Sequence, residues 1–167
     1  ITVKIISKVP SFFFQLVITV LILHIRSSRY GLNQKNSSSD ISPTAGQMPR
    51  LVGLGLASKM YRNNKNLHHM TNFSNKGNEV AFGTIGDAST SEGIFWESIN
   101  ASCVLEIPIV MSVWDDGYGI SVPKKFQTTK ESISESLSGM EIKEGTNGLK
   151  TYKCKGWDYA EMILTYE

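Results

Sequence analysis

Apolar residues recur at helical spacing over residues 47 to about 63: Met48, Leu51, Val52, Leu54, Leu56 and Met60. That period predicts a helix, and Pro49 suits its first turn. Gly53, Gly55, Ala57 and Ser58 lie on the same stretch. Their small size permits close approach of a neighbour but lowers helix propensity. The polar stretch "NNKNLHHMTNFSNKGN" reads as a surface loop. The pattern then becomes more regular. "EVAFGTI" (79–85) reads as a buried strand, "GDAST" as a turn, and "SEGIFWESINASCVL" as a helix from about Ser91. Ile94, Phe95, Ile99, Cys103 and Val104 fall on one side of that helix. "IPIVMSVW" (107–114) is a second apolar strand, with "DDGYGIS" as the loop at its end. Strand, helix and strand in this order predict a βαβ unit with parallel strands.

Further along, "TTKESISESLSG" reads as a helix with Thr128 or Thr129 as its cap. "LKTYKCKG" follows as a strand and "DYAEMILTYE" as a helix capped by Asp158. From residue 47 onward the pattern is therefore α/β, with a parallel sheet and helices on both faces. No internal repeat interrupts it.

Residues 1 to about 26 have a different character. Lys4 and Lys8 precede the apolar run "SFFFQLVITVLILHI", and Arg26 and Arg29 follow it. A basic start before an apolar run resembles an export signal or short anchor, which would make the chain membrane-associated through residues 10–26. The run is about 15 residues against the roughly 20 needed to span a bilayer. Gln15, Thr19 and His24 interrupt it, and no small-residue cleavage site follows. A buried helix or strand, or sequence foreign to the domain, accounts for it equally. Residues 27–46 are rich in serine, asparagine and glycine and read as a loop.

Composition narrows the function classes. The chain has 167 residues, a net charge of +2 and 41% apolar residues. It is long enough for a domain with a core, and the weak, scattered positive charge gives no nucleic-acid footprint. Cys103 and Cys154 have neither zinc spacing nor the density of a disulfide scaffold. They point to a reducing compartment, and so to the cytoplasm. A start at Ile1 and an end inside a predicted helix suggest part of a longer protein.

Candidate chemistry gathers at one edge of the predicted sheet. In open parallel α/β sheets, ligands sit beyond the carboxyl ends of the strands. There Gly86-Asp87-Ala88 follows the first strand of the βαβ unit, and Asp115-Asp116-Gly117-Tyr118-Gly119 follows the second. Carboxylates converging with a backbone carbonyl make a hard oxygen site suited to magnesium or calcium. The turn at Gly86 to Ser89 also opens a helix, where free amides and the helix dipole favour phosphate. The same residues fit a simple helix-entry turn and a solvated loop. His68-His69 lies in a polar loop without acidic neighbours, which favours a structural role. Trp96 and Trp114 read as packing residues.

Taken together, "GDASTSEGIFWESINASCVLEIPIVMSVWDDGYGIS" resembles the signature of thiamine-diphosphate enzymes. It is most similar to the decarboxylating first component of 2-oxo acid dehydrogenase complexes, branched-chain type. Glu92-Gly93, Asn100-Ala101, Pro108, Gly117 to Ser121, "SPTAGQMPRLVGLGLASKMYR" and "KGWD" carry that likeness, which covers about residues 36–167. The resemblance implies a partial thiamine-diphosphate-binding fold over residues 35–167, with residues 1–34 unlike the family.

The resemblance also implies a chemistry: decarboxylation of a 2-oxo acid with acyl transfer to a lipoyl acyltransferase. Asp87, Asp116 and the Tyr118 carbonyl would hold magnesium. Gly86, Ala88 and Ser89 would approach the diphosphate, and Glu92 would support that turn. Thr44 and Gln47 fall in the segment, 42–47, that borders the cofactor rings. No catalytic base is assigned, because the activating glutamate belongs to a pyrimidine-binding domain or partner subunit and the parent enzyme is an oligomer. A cofactor-free remnant of the fold, or a transketolase-like or acetoin-type enzyme, shares these features.

Three departures from the signature stand out. Ala88 replaces the usual glycine, which is tolerable where φ is negative. Asp115-Asp116 replaces Asn-Asn and adds negative charge beside a diphosphate. Trp114 takes the place of an arginine that can reach the diphosphate, so another basic group is expected to serve.

Overall fold

The computed structural model describes the backbone strands β1 (Thr2–Ser7), β2 (Ile25–Arg26) and β3 (Lys35–Asn36), together with residues 43–167 in full. Most of the apolar run at 11–25, the greater part of the polar loop at 27–46, and Ser42 lie outside the described residues. From residue 43 the order is α1 (Met48–Asn63), β4 (Ala81–Gly86), α2 (Gly93–Leu105), β5 (Ile109–Asp115), the hairpin strands β6 (Tyr118–Gly119) and β7 (Val122–Pro123), α3 (Ile133–Leu137), β8 (Lys150–Lys155) and α4 (Tyr159–Tyr166).

The expected βαβ unit is present. β4 and β5 pair in parallel, with Ala81 opposite Ile109 and Gly86 opposite Trp114. The four-stranded sheet runs β4-β5-β1-β8. Thr2–Ser7 thus enters the sheet, parallel to both β5 and β8. Its last residue, Ser7, lies opposite Asp115 on one side and Lys155 on the other.

Alternation along the strands sorts the two faces. Ala81, Ile85, Ile109, Met111 and Val113 are buried on one face with Met48, Leu51, Phe95, Ile99, Ile133 and Leu137 from the helices. Two glycines set how closely α1 lies on this face. A Cβ on Gly55 would stand 2.8 Å from Ile109 Cγ1, and one on Gly83 would stand 2.8 Å from Leu51 Cδ2. On the opposite face, the Tyr166 hydroxyl of α4 bonds Ser112 at 2.6 Å, and its ring centroid is 6.1 Å from that of Phe82. Trp114 is on that face too, where it and Met162 pack against Cys154. Helices therefore cover both faces of the parallel sheet. Among the described residues, no helix is long and apolar enough to cross a membrane.

Two sequence expectations need correction. Val104 does not join the buried side of α2 and is 62% exposed. The buried stripe of α2 runs through Phe95, Ser98, Ile99, Ser102 and Cys103, and Val104 falls one residue past it on the outward side. The helix expected from Thr128 is likewise shorter. Lys130 and Glu131 have φ of 58° and 51°, which no right-handed helix admits. The helix starts at Ile133 instead, and Ser132 caps it by accepting the Glu135 amide. Ser132→Ala should cost about 1 kcal/mol by loss of this cap, read as a lower urea midpoint, whereas Thr129→Ala should be nearly neutral.

Candidate metal and diphosphate site

The carboxyl ends of β4 and β5 are held together by backbone: the Asp87 amide donates to the Trp114 carbonyl at 3.0 Å. This bond extends the ladder by one residue and turns Asp87 inward. Its residue is 1% exposed. Oδ2 accepts the Gly117 amide at 3.1 Å, and Oδ1 is buried with no hydrogen-bond partner among the described residues. The Asp87 carbonyl accepts both the amide and the hydroxyl of Thr90, at 3.1 and 2.5 Å. The 3₁₀ turn Ala88–Ser91 is tied down by these bonds.

The β5 loop comes to meet it. Asp115 is buried, and its Oδ1 accepts the same Gly117 amide at 3.1 Å. Asp116 Oδ1 accepts the Tyr118 amide at 3.0 Å. Gly117 is at φ 86°, a conformation that favours glycine at this reversal. Burial and the neighbouring Asp115 carboxylate, eased in part by the Ala88 backbone and aggravated by Asp116, push the Asp87 carboxyl up from 3.8 to about 7. A carboxylate in such surroundings gains by acquiring either a proton or a cation.

The loop after β5 is braced by residues the sequence reading did not single out. Lys124 Nζ contacts both Asp115 oxygens, at 2.8 and 2.6 Å, and its amide donates to the Gly117 carbonyl at 2.8 Å. Gln127 links the two sides: its carbonyl accepts from the Ser91 hydroxyl at 3.0 Å, and its Nε2 donates to the Val122 carbonyl at 2.9 Å. A cationic residue soon after an Asp-Asp pair is a weak local signal, and only the β6–β7 hairpin returns Lys124 to Asp115.

Of the predicted site residues, Gly86, Asp87, Ala88 and Ser89 stand on the β4 edge, with Asp116 and Tyr118 on the β5 loop beside them. Ala88 lies in its turn at negative φ, which the alanine tolerates. Glu92 is exposed and contributes to the turn through its backbone, its amide donating to the Ser89 carbonyl at 3.2 Å. Thr44, exposed, and Gln47, half-buried, stand at the entry to α1 and are not hydrogen-bonded to the Asp87 loop. His68 bonds the Tyr61 carbonyl at 3.0 Å, a local structural role. The Trp114 indole donates to Ser112 at 3.0 Å on the α4 face and is occupied there. No group of three or more His, Cys, Asp or Glu residues poised to hold a metal is found among the described residues, so any cation here would rest on the carboxylates and backbone together.

The family model described as "Dehydrogenase E1 component" matches residues 25–144. The chain belongs to this family. Membership implies thiamine diphosphate as cofactor. The E1 chain is 29% identical over 110 residues to the 2-oxoisovalerate dehydrogenase subunit alpha of Bacillus subtilis (strain 168), covering 66% of this chain and 29% of that protein. It is 30% identical over 131 residues to 2-oxoisovalerate dehydrogenase subunit alpha 1, mitochondrial, of Arabidopsis thaliana, covering 77% of this chain and 23% of the relative. A pyruvate dehydrogenase E1 component subunit alpha from Staphylococcus aureus (strain Mu50 / ATCC 700699) is 28% identical over 81 residues, covering 46% of this chain and 22% of that relative. The E1 chain thus spans under a third of the length of these relatives.

The oxygen-only donors fit a hard divalent ion. The buried, unpartnered Asp87 Oδ1 is the atom that most calls for one.

Proposed function

We propose that this E1 chain supplies the magnesium and diphosphate half of a thiamine-diphosphate site in the first component of a 2-oxo acid dehydrogenase acting on branched-chain substrates. The observation that carries the reading is the buried Asp87 carboxylate, one oxygen unpartnered, set against the Asp115-Asp116-Gly117 loop. Asp87 and Asp116, with the Tyr118 carbonyl, would hold magnesium. Gly86, Ala88 and Ser89 would lie against the diphosphate, Glu92 would support their turn, and Thr44 and Gln47 would border the cofactor rings. The cofactor, when bound, supplies the electron sink for decarboxylating a 2-oxo acid. The chain's own share is to bind and orient its charged end and keep water from Asp87.

The substrate class rests on the two 2-oxoisovalerate dehydrogenase relatives. Their designation as alpha subunits supports a pyrimidine-binding partner subunit, with a lipoyl acyltransferase to take the acyl group. The burial of both Cys103 and Cys154 supports a reducing, cytoplasmic setting.

Titrating the chain with thiamine diphosphate, with and without magnesium, tests the reading. Calorimetry should show saturable binding that depends strongly on the metal. The absence of any saturable change would make the chain a remnant of the fold that has lost its cofactor. Equal binding with and without magnesium would remove the metal from the site.

A further inference from the structure

The β5 loop carries one carboxylate more than a magnesium grip needs, and the structure shows where it goes. Asp115 is buried, and both of its oxygens face Lys124 Nζ, at 2.8 and 2.6 Å. The lysine is fixed from two sides, since its amide also bonds the Gly117 carbonyl at 2.8 Å. It enters from Pro123, whose φ of −59° directs the chain into the turn Lys124–Phe126. The adjacent Lys125 is turned over the Phe126 ring, 5.0 Å from its centroid. Its charge is therefore spent away from Asp115. Asp87 and Asp115 converge on one amide, that of Gly117, each at 3.1 Å. Among the described residues, a cation is paired with Asp115 and none with Asp87. Asp87 keeps a buried oxygen with no partner.

We propose that Lys124 is a positioning residue that withdraws Asp115 from the metal's donor set and cancels its charge, so that the site accepts a magnesium–diphosphate complex and not merely a bare cation. The inference rests on the magnesium and diphosphate reading of this edge. Three carboxylates without Lys124 would carry three negative charges; the ion pair leaves two, which one divalent ion balances. A diphosphate then meets a neutral centre. With the third carboxylate free, the edge would attract a naked divalent ion more strongly and repel the diphosphate that must follow it. Lys124 is not the basic group expected to reach the diphosphate in place of an arginine, because its charge is directed to Asp115.

The charge argument fixes opposite signs for two variants. Lys124→Met frees Asp115. Magnesium chloride alone should bind roughly three- to thirtyfold more tightly, and thiamine diphosphate at saturating magnesium more weakly by a similar factor, the size expected for one unit charge a few ångströms away under partial screening. Asp115→Asn leaves the lysine unpaired and should move both affinities the other way. Lys124→Arg should keep the native values. The double variant Lys124→Met with Asp115→Asn should return both affinities towards native.

Calorimetry with each probe in turn reads these shifts on the full chain, and the Asp115→Asn arm decides the matter should Lys124→Met fail to fold. A loss of affinity for both probes in Lys124→Met would overturn the inference and leave Lys124 a merely structural brace. Loss of diphosphate affinity alone, unrescued by Asp115→Asn, would overturn it in favour of direct contact between Lys124 and the phosphate. If the native chain binds neither probe, the magnesium and diphosphate reading falls and takes this inference with it.

Discussion

Replacing Asp87 with asparagine should stabilise the metal-free E1 chain at pH 8 while abolishing its response to magnesium. The Asp87 carboxyl is raised from 3.8 to about 7 by burial and by Asp115. Between those values the folded chain holds a proton that the unfolded chain has released. Stability from this group is therefore fully present below pH 3.8 and is lost as pH rises through 7. At pH 8 the folded chain carries a buried carboxylate beside two others. Asparagine removes that charge, and its amide can donate towards Asp115. The shift sets a ceiling of about 4 kcal/mol. Because an asparagine still buries a polar group, the expected gain is about 1–3 kcal/mol. Urea unfolding of both chains at pH 5 and pH 8 measures it. The native midpoint should fall relative to that of Asp87→Asn between the two conditions, and parallel midpoints would contradict the assignment. Magnesium should restore stability to the native chain at pH 8 and leave the variant unchanged.

The βαβ unit was legible because its signals are local. An apolar run, a Gly-Asp turn, a 3.6-residue period and a second apolar run follow one another without interruption. The boundaries moved where polar groups found other partners. The first strand begins at Ala81 and not at Glu79, because the Glu79 carboxylate accepts the Ser74 hydroxyl at 2.8 Å and the Asn75 amide, closing the preceding loop. The central position of Thr2–Ser7 was not legible. Its partners are β5 and β8, more than a hundred residues away in sequence, and no local period encodes such a pairing. Its six residues were overshadowed by the apolar run that follows them.

The same division holds at the site. From their places after two strands, Asp87 and the Asp115-Asp116 pair could be set at one edge of the sheet, since the ends of parallel neighbours must converge. Which aspartate meets Asp87 could not. Asp115 shares the Gly117 amide with Asp87, whereas Asp116 turns back on the Tyr118 amide. That choice follows from the sharp reversal at Gly117 and from Lys124, which reaches Asp115 only after the β6–β7 hairpin has formed. Charge pairs across a hairpin are a product of the fold, and composition alone left Asp115 as unexplained negative charge.

Gly119 gives the second large expectation, and it explains how the site tolerates Ala88. A Cβ at Gly119 would stand 2.7 Å from the Ala88 Cβ and 2.5 Å from Gln127 Nε2. Carbon atoms rest at about 3.5–4.0 Å, so one position or the other can carry a methyl group, not both. The Ala88 methyl is fixed by the 3₁₀ turn. The Gln127 amide is held to the Val122 carbonyl at 2.9 Å, so its retreat would sacrifice that bond. Gly119→Ala should therefore push the hairpin off the Asp87 turn at a cost of about 1–3 kcal/mol, displacing Tyr118 and weakening magnesium binding. Ala88→Gly alone should cost about 0.5–1 kcal/mol through added backbone freedom. Combining the two substitutions moves the methyl across the contact, and the double variant should recover about 1–2 kcal/mol relative to the sum of the single costs. Urea midpoints of the four chains in the cycle, with magnesium titrations of each, measure both effects. Strictly additive costs would mean that the two residues do not share this space. A recovery in stability together with magnesium affinity would show that the alanine in the Gly-Asp turn is accommodated by the glycine opposite it, with the grip left intact.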